Sequence, residues 1–571
     1  MIHTFAVPLV GCPSLVGVFA VLLAIATSAR ADTVVADNFA AATVNPHASQ
    51  AALDVYCEGG NAVDAAIAAA LTLSVVDGHN SGIGGGCLIL VRTSQGELIA
   101  IDGRETAPAA ASPQMFVENG RANPQLSQTG PLAVGVPGAL AAYQLALEKC
   151  GTKPLSRLLE PGRALAESGF AIDRPLASAI ASHDDEIKQF EATRRLLLDD
   201  QGRPWPAGHV LKQADLARTY RSLQEQGIDW FYRGPFAAKV GDWMQQNGGL
   251  LAAEDFASYR AIVRQPLQTS YRNHTIVGFP PPSSGGVHIA QMLNMLEQFD
   301  VKALHADDPA KAMHVIAEVF SRAFADRAYW LGDADFAPVP RGLIDKAYAA
   351  KLAASIDLEK ATPVAGHGQP PRWRQDLFQR HTTHIAAADA AGNWVAITAT
   401  VNTSFGSKVI VPGTGVVLNN EMDDFSIEPG VANAFGLVGA EANAVAPGKR
   451  PLSSMSPTIV LDAAGQPRLA VGAAGGPKII TQVLLALVRV LDLGEPLDQA
   501  IASPRWHHQW RPNRLGLEKS VPAAQKDYLQ SLGHTVYKLP TAGVTQGIER
   551  LPSGKLAGTS DPRVPGKTVG K

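Results

Sequence analysis

The stretch THIAAADAAGNWVAITATV, residues 383 to 401, constrains the chain most. Two mainly apolar runs flank DAAGN, where Gly392 and Asn393 favour a tight turn. The pattern predicts an antiparallel hairpin. A loop from Asp389 to Asn393 sets Ala388 opposite Trp394, and counting outward sets Thr382 opposite Thr400. Asn402 follows Thr400 by two positions and shares its face. Three polar groups therefore converge at the open end of the hairpin, where the basic, Pro-containing stretch PPRWRQDLFQR runs into His381. Threonine is also a good strand residue, so local pattern leaves Thr382 open as a strand start or as a nucleophile.

The rest of the chain divides around that point. Residues 51 to 76 place apolar and small side chains at helical spacing and break at Asp77-Gly78. The turn SGIGGGC leads into a predicted strand pair, CLILVRT and ELIAIDG, joined by SQGE. Residues 135 to 330 read as mostly helical, and GFPPPSSGGVHIAQMLNMLEQF as a rigid turn feeding a helix. The polar, Pro/Gly-rich region 362 to 380 is the best linker candidate. After it, THIAAADA, NWVAITATV, SKVIVPG, TGVVLNN, MSPTIVLD and PRLAVGA all read as strands.

At 571 residues the chain is long enough for several domain-sized cores or one large α/β core. Its formal net charge of -3, with basic residues spread along the length, gives no case for nucleic acid as partner. The apolar run SLVGVFAVLLAIA, residues 14 to 26, is short for a membrane span. Ala29-Arg30-Ala31 follows it with an A-x-A cleavage pattern, so residues 1 to 31 read as a removable export signal. No later segment reads as a transmembrane helix, and a periplasmic or secreted protein is expected. Cys57, Cys87 and Cys150 remain after the signal, an odd and scattered set that forms no disulfide framework. His381-x-x-His384 and His507-His508 stand without further ligands, so no metal is expected.

Four further stretches carry chemistry. IDGRETAP puts Arg104 at a strand end; LNNEMDDF gathers Asn420, Glu421, Asp423 and Asp424; RPLSSMSP pairs Ser453 with Ser454; GAAGGP exposes backbone N–H groups at Gly475 and Gly476. Each alone has an ordinary structural account. Together they complement an amino-acid head group and a reacting carbonyl: Arg and hydroxyls for a carboxylate, carboxylates and an amide oxygen for an ammonium, paired N–H groups for an oxyanion. No phosphate loop fits, because neither Gly476-Pro477-Lys478-Ile479 nor Gly554-Lys555-Leu556 supplies Gly-Lys-Ser/Thr. No G-x-S-x-G elbow is present.

These stretches, with GGNAVDAAIAAALTLSVV, SGIGGG, PPPSSGGVHIAQMLN, TTHIAAADAAGN and NTSFGS, resemble the γ-glutamyltransferase (glutathione hydrolase) family of N-terminal-nucleophile hydrolases along nearly the whole mature chain. The resemblance implies a four-layer αββα sandwich of α/β class, two stacked sheets flanked by helices. It also implies one precursor that cuts itself between His381 and Thr382. The fragments, 32–381 and 382–571, then form a heterodimer, with no cofactor. By the same resemblance Thr382 is the nucleophile, Thr400 orients it, and Gly475 and Gly476 supply the oxyanion hole. Arg104, Ser453 and Ser454 match the groups that hold the substrate α-carboxylate; Asn402, Glu421 and Asp424 match those for its α-amino group. The implied donor is glutathione or another γ-glutamyl compound, and the acceptor is water, an amino acid or a dipeptide. Pro477, Ala473 and Ala474 depart from the family pattern around the oxyanion loop. PGVANAFGLVGAEANAVAP, residues 429 to 447, matches a lid, with Phe435 where an aromatic, commonly Tyr, closes the site. The alternatives are a β-lactam (glutaryl) acylase of the same family and a non-catalytic relative.

Overall fold

Two seven-stranded antiparallel sheets organise the protein. The computed structural model describes residues 31–371, 384–428 and 430–571. One sheet runs, edge to edge, through Lys567–Gly570, Phe39–Thr43, Ile385–Asp389, Trp394–Thr400, Gly86–Arg92, Leu98–Gly103 and Ile262–Arg264. The other runs through Asp32–Ala36, Leu556–Ser560, Val544–Arg550, Pro467–Ala474, Thr458–Leu461, His274–Gly278 and Leu267–Tyr271. Strands from both sides of the linker thus sit in both sheets.

The two sheets stack face to face, and side-chain alternation along Gly86–Arg92 explains why its residues are all buried. Cys87, Ile89 and Val91 pack with the helix Ala62–Val76, whereas Leu88 and Leu90 pack toward the second sheet. That helix is apolar on every side and buried along its whole length. Asn61 caps its N-terminus, and its own N–H donates to the Asp64 carboxylate. On the outer face of the second sheet lie Ser284–Leu296 and Lys478–Val488.

The hairpin has the expected register: Ala388 pairs with Trp394, and the ladder continues to Ile385 with Ile397. The opposition of Thr382 to Thr400 cannot be read from it, because residues 372–383 lie outside the described residues. The expected helix breaking at Asp77 and the strand pair at 86–103 are both present. Two expectations need correction. SKVIVPG and TGVVLNN contain no strand, only an isolated bridge between Ile410 and Val417. Left-handed backbone at Asn402, Phe405, Lys408, Gly413 and Gly415 interrupts any ladder there. Partners from the first half take over instead: the Thr193 hydroxyl donates to the Lys408 carbonyl at 2.7 Å and accepts the Ile410 N–H at 3.1 Å. Region 135–330, expected to be mostly helical, also contributes the three strands between Ile262 and Gly278.

Candidate active site

Sheet ends and the loops that leave them bring the candidate residues together. Thr400 ends its strand opposite Gly86, and its hydroxyl accepts the Asn402 N–H at 2.7 Å. Asn402 has left the strand with φ 78°, so it does not share the Thr400 face by strand alternation as expected. The turn instead aims its amide at LNNEMDDF, where it donates to the Asn420 carbonyl at 2.9 Å.

Arg104 is fully buried at the exit of Leu98–Gly103. Its guanidinium donates to Glu421, to Asp424 at 2.6 Å and to the Pro451 carbonyl at 3.3 Å. The cation expected for a carboxylate and the anions expected for an ammonium are therefore paired with one another. Glu421 and Asp424 lie on one short 3-10 turn, Glu421–Asp424, so both reach the same guanidinium. Burial raises the Asp424 carboxyl above its ordinary range, and Arg104 opposes that rise.

Ser453 and Ser454 sit in a turn bound to the start of the helix Ser284–Leu296: the Ser284 N–H and hydroxyl both donate to the Ser453 carbonyl, at 2.8 and 2.6 Å. The Ser454 hydroxyl accepts from Arg327 at 3.2 Å. Arg327 also donates to the Ser284 hydroxyl at 2.9 Å; burial lowers its pKa to about 10, and Asp424 works against the fall.

Gly475 and Gly476 follow Pro467–Ala474 with φ 137° and 60° and lead through Pro477 into Lys478–Val488. Neither N–H donates to a backbone carbonyl among the described residues. Pro477 occupies the N-cap, where loss of its own N–H leaves the glycine donors intact. Phe435 packs on Gly476 so closely that an added Cβ would fall 2.7 Å from the ring.

His381 and Thr382 lie outside the described residues. His384, two residues after Thr382, is buried against Gly472, and burial lowers its pKa to about 3. Sequence reasoning missed Arg327 and the role of Glu105. Glu105 is wholly buried, 3.7 Å from the Arg104 guanidinium, with neither carboxyl oxygen hydrogen-bonded among the described residues. The signal for Arg327 was a charge inside the small and aromatic run AFADRAYW; Glu105, among the charges of DGRETAP, carried none of its own.

One buried group among the described residues, His314, Glu318 and His534, has metal-ligand chemistry. Its donors are already engaged. The His314 Nε2–H donates to the Asp357 carbonyl at 2.7 Å, which leaves Nδ1 to accept from His534 at 2.7 Å, and Glu318 accepts from Arg322 at 2.8 Å. The network is complete without a cation.

The γ-glutamyltranspeptidase profile matches residues 48–570. The chain belongs to the γ-glutamyltranspeptidase family. It is 42% identical over 524 residues to the glutathione hydrolase proenzyme of Escherichia coli strain K12, covering 91% of this chain and 90% of that protein. It is 36% identical over 540 residues to the Acylase ACY 1 proenzyme of Pseudomonas sp. strain SE83, covering 92% of each. Its fold is similar to that of a cephalosporin acylase from Bacillus halodurans, with a TM-score of 0.84 and 28% identity over 95% of this chain and 97% of the other. Relatives with this degree of similarity thus carry the names of both a glutathione hydrolase and an acylase.

Proposed function

We propose that this γ-glutamyltranspeptidase-family enzyme cleaves γ-glutamyl amide bonds of glutathione and related compounds, passing the group to water or to an amino acid or dipeptide. The observation that carries this reading is the Arg104–Glu421–Asp424 cluster. An α-amino acid head group brings one carboxylate and one ammonium. Its carboxylate takes over the guanidinium together with Ser453 and Ser454, and its ammonium takes over Glu421 and Asp424 together with Asn402. One set of ion pairs replaces another, so no charge is left buried and alone.

The proposed αββα sandwich folds as one precursor, which then cuts itself. The Thr382 hydroxyl attacks the His381 carbonyl, the peptide becomes an ester, and water hydrolyses it. The new Thr382 α-amino group, with an ordinary pKa near 7.7–8.0, then takes the hydroxyl proton as base. Attack on the γ-carbonyl gives an oxyanion held by the Gly475 and Gly476 N–H groups, with Thr400 orienting the nucleophile. Collapse expels the amine, which carries the proton away, and leaves a γ-glutamyl ester for water or the acceptor amine. The fragments 32–381 and 382–571 stay together as a heterodimer, since strands of both residue ranges share each sheet. Export as a periplasmic or secreted enzyme follows from residues 1–31. Among the described residues no helix is long and apolar enough to cross a membrane.

The acylase relatives supply the second reading, and one comparison separates the two. A glutaryl anilide keeps the carboxylate but lacks the α-amino group, which leaves Glu421 and Asp424 without the incoming cation. The expected preference for γ-glutamyl anilide is at least about a hundredfold, and Asp424→Asn should reduce it. Equal wild-type rates on both anilides would assign the chain to the acylases.

A further inference from the structure

The tip of the lid, Asn433 to Leu437, is a tight turn held from inside by Asn433. Its side-chain oxygen accepts the Phe435 N–H at 3.0 Å and the Leu437 N–H at 3.1 Å. One flank of this turn is tied to the head-group corner: the Ala434 N–H donates to Asp423 at 2.9 Å, and the Asn433 amide donates to Asp424 at 3.2 Å. The other flank presents the carbonyls of Phe435 and Gly436. Both accept from the Gln509 side chain, at 3.3 and 3.1 Å.

Those two carbonyls fix the direction of a longer chain of hydrogen bonds. Only an N–H₂ satisfies two carbonyl oxygens, so the Gln509 amide nitrogen faces the lid and its oxygen faces His507, 2.9 Å away. That oxygen needs a donor, so His507 carries its proton on Nε2. Its Nδ1 then shares the Thr481 hydroxyl proton, at 3.0 Å, with the Lys478 carbonyl 3.1 Å from that hydroxyl. His507 and Thr481 are buried, and Thr481 lies in the first turn of Lys478–Val488, the helix that Gly475 and Gly476 enter. The helix that fixes the oxyanion loop is thus the anchor of the lid tip. Phe435 lays its ring on Gly476 and has no hydroxyl with which to bind across the site.

We propose that Gln509, oriented by His507 and Thr481, is a positioning residue that latches the lid tip over the oxyanion glycines. It supplies the polar tether that a phenylalanine at position 435 lacks. The catalytic importance of the lid rests on the γ-glutamyl reading; the latch itself does not.

Gln509→Glu keeps size and shape and still accepts from His507, but turns an acceptor toward two carbonyls. Gln509→Leu removes both bonds without adding charge. For each variant, fragment formation, kcat and KM with γ-glutamyl anilide, and protease nicking between residues 430 and 447 of the ligand-free enzyme are measured. The latch predicts normal fragments, kcat within about twofold, KM raised about tenfold from the loss of two neutral hydrogen bonds, and faster nicking in both variants. Unchanged nicking with unchanged KM overturns it. So does a fall in kcat and thermal midpoint at constant KM, which marks a merely structural residue. Faster nicking in variants of a wild type that cleaves no γ-glutamyl anilide supports the latch while removing the functional reading.

Discussion

The two corners of the site solve different physical problems. The head-group corner is charged and buried, and the chain neutralises it internally through Arg104, Glu421 and Asp424. The proposed oxyanion corner is built on backbone: two glycine N–H groups in unusual geometry and a helix start, with the ring of Phe435 over them and the Lys478 side chain beside Gly475. On the proposed function the first exchanges its partners when substrate arrives, so damage there should appear as altered recognition. The second has only to hold its two N–H groups in place, so displacing those donors should appear in kcat, whereas loosening the lid tip above them should appear in KM.

Gly476→Ala tests the second half of that contrast and should have the largest effect. At φ 60° a side chain is strained, and its Cβ would meet the Phe435 ring at 2.7 Å. Displacing one oxyanion donor should lower kcat by about 10²–10³-fold, roughly 2.7–4 kcal/mol, with a smaller change in KM. Steady-state kinetics on γ-glutamyl anilide decides it. A raised KM with intact kcat would erase the distinction between the corners.

Glu105 tests whether the charged corner stores an electrostatic penalty. Burial pushes its carboxyl up to about 7 from an ordinary 4.5, and the neighbouring Arg104 only partly opposes this. Because the folded value lies above the unfolded one, the native state holds a proton that the unfolded chain has already released. Stability should therefore fall as pH rises from about 4.5 to 7 and level off above, by about 3 kcal/mol in total. Glu105→Gln should flatten that slope. Asp423, which burial pushes to about 6, acts in the same direction and remains in both proteins, so the difference between urea midpoints isolates Glu105.

Arg104→Lys should matter somewhat less. A single ammonium cannot reproduce a fork that reaches Glu421 and Asp424 together and presents two parallel donors to a carboxylate. A loss of about 1.5–3 kcal/mol, ten- to a hundredfold in kcat/KM, is expected with normal self-cleavage. Kinetics and fragment analysis on the same preparation check both parts. Wild-type kcat/KM would move the carboxylate role to another residue.

What could be read in the sequence follows the range of the forces involved. The 388–394 register was legible because turn chemistry and strand alternation are local. The hairpin Leu267–Gly278 was not, since its turn places Arg272 and Asn273 in left-handed backbone without a glycine to announce it. SKVIVPG carries strand-forming residues, yet contacts with Thr193, more than two hundred positions away, hold it as a loop. Arg104, Glu421 and Asp424 were legible as candidate site residues from their motifs. Their pairing was not, because spacing says nothing about which groups meet across 317 positions. The contacts of Arg327 were illegible for the same reason: only tertiary packing carries it to Ser284 and Ser454.

The smallest expected effect divides the charged corner itself. Ser454 offers one neutral hydroxyl on the carboxylate side and already accepts from Arg327. Ser454→Ala removes one neutral hydrogen bond to the substrate, about 1 kcal/mol or fivefold in kcat/KM. Arg327 keeps its bond to Ser284, so the pocket does not lose its buried cation's support. The γ-glutamyl and glutaryl donors both carry the carboxylate that Ser454 faces. Their rates should fall together and their ratio should stay fixed. Asp424→Asn, on the ammonium side, should shift that ratio while sparing self-cleavage. Rates of both anilides on the two variants therefore tell the halves of the corner apart, and a ratio that moves in Ser454→Ala would place this hydroxyl on the ammonium instead.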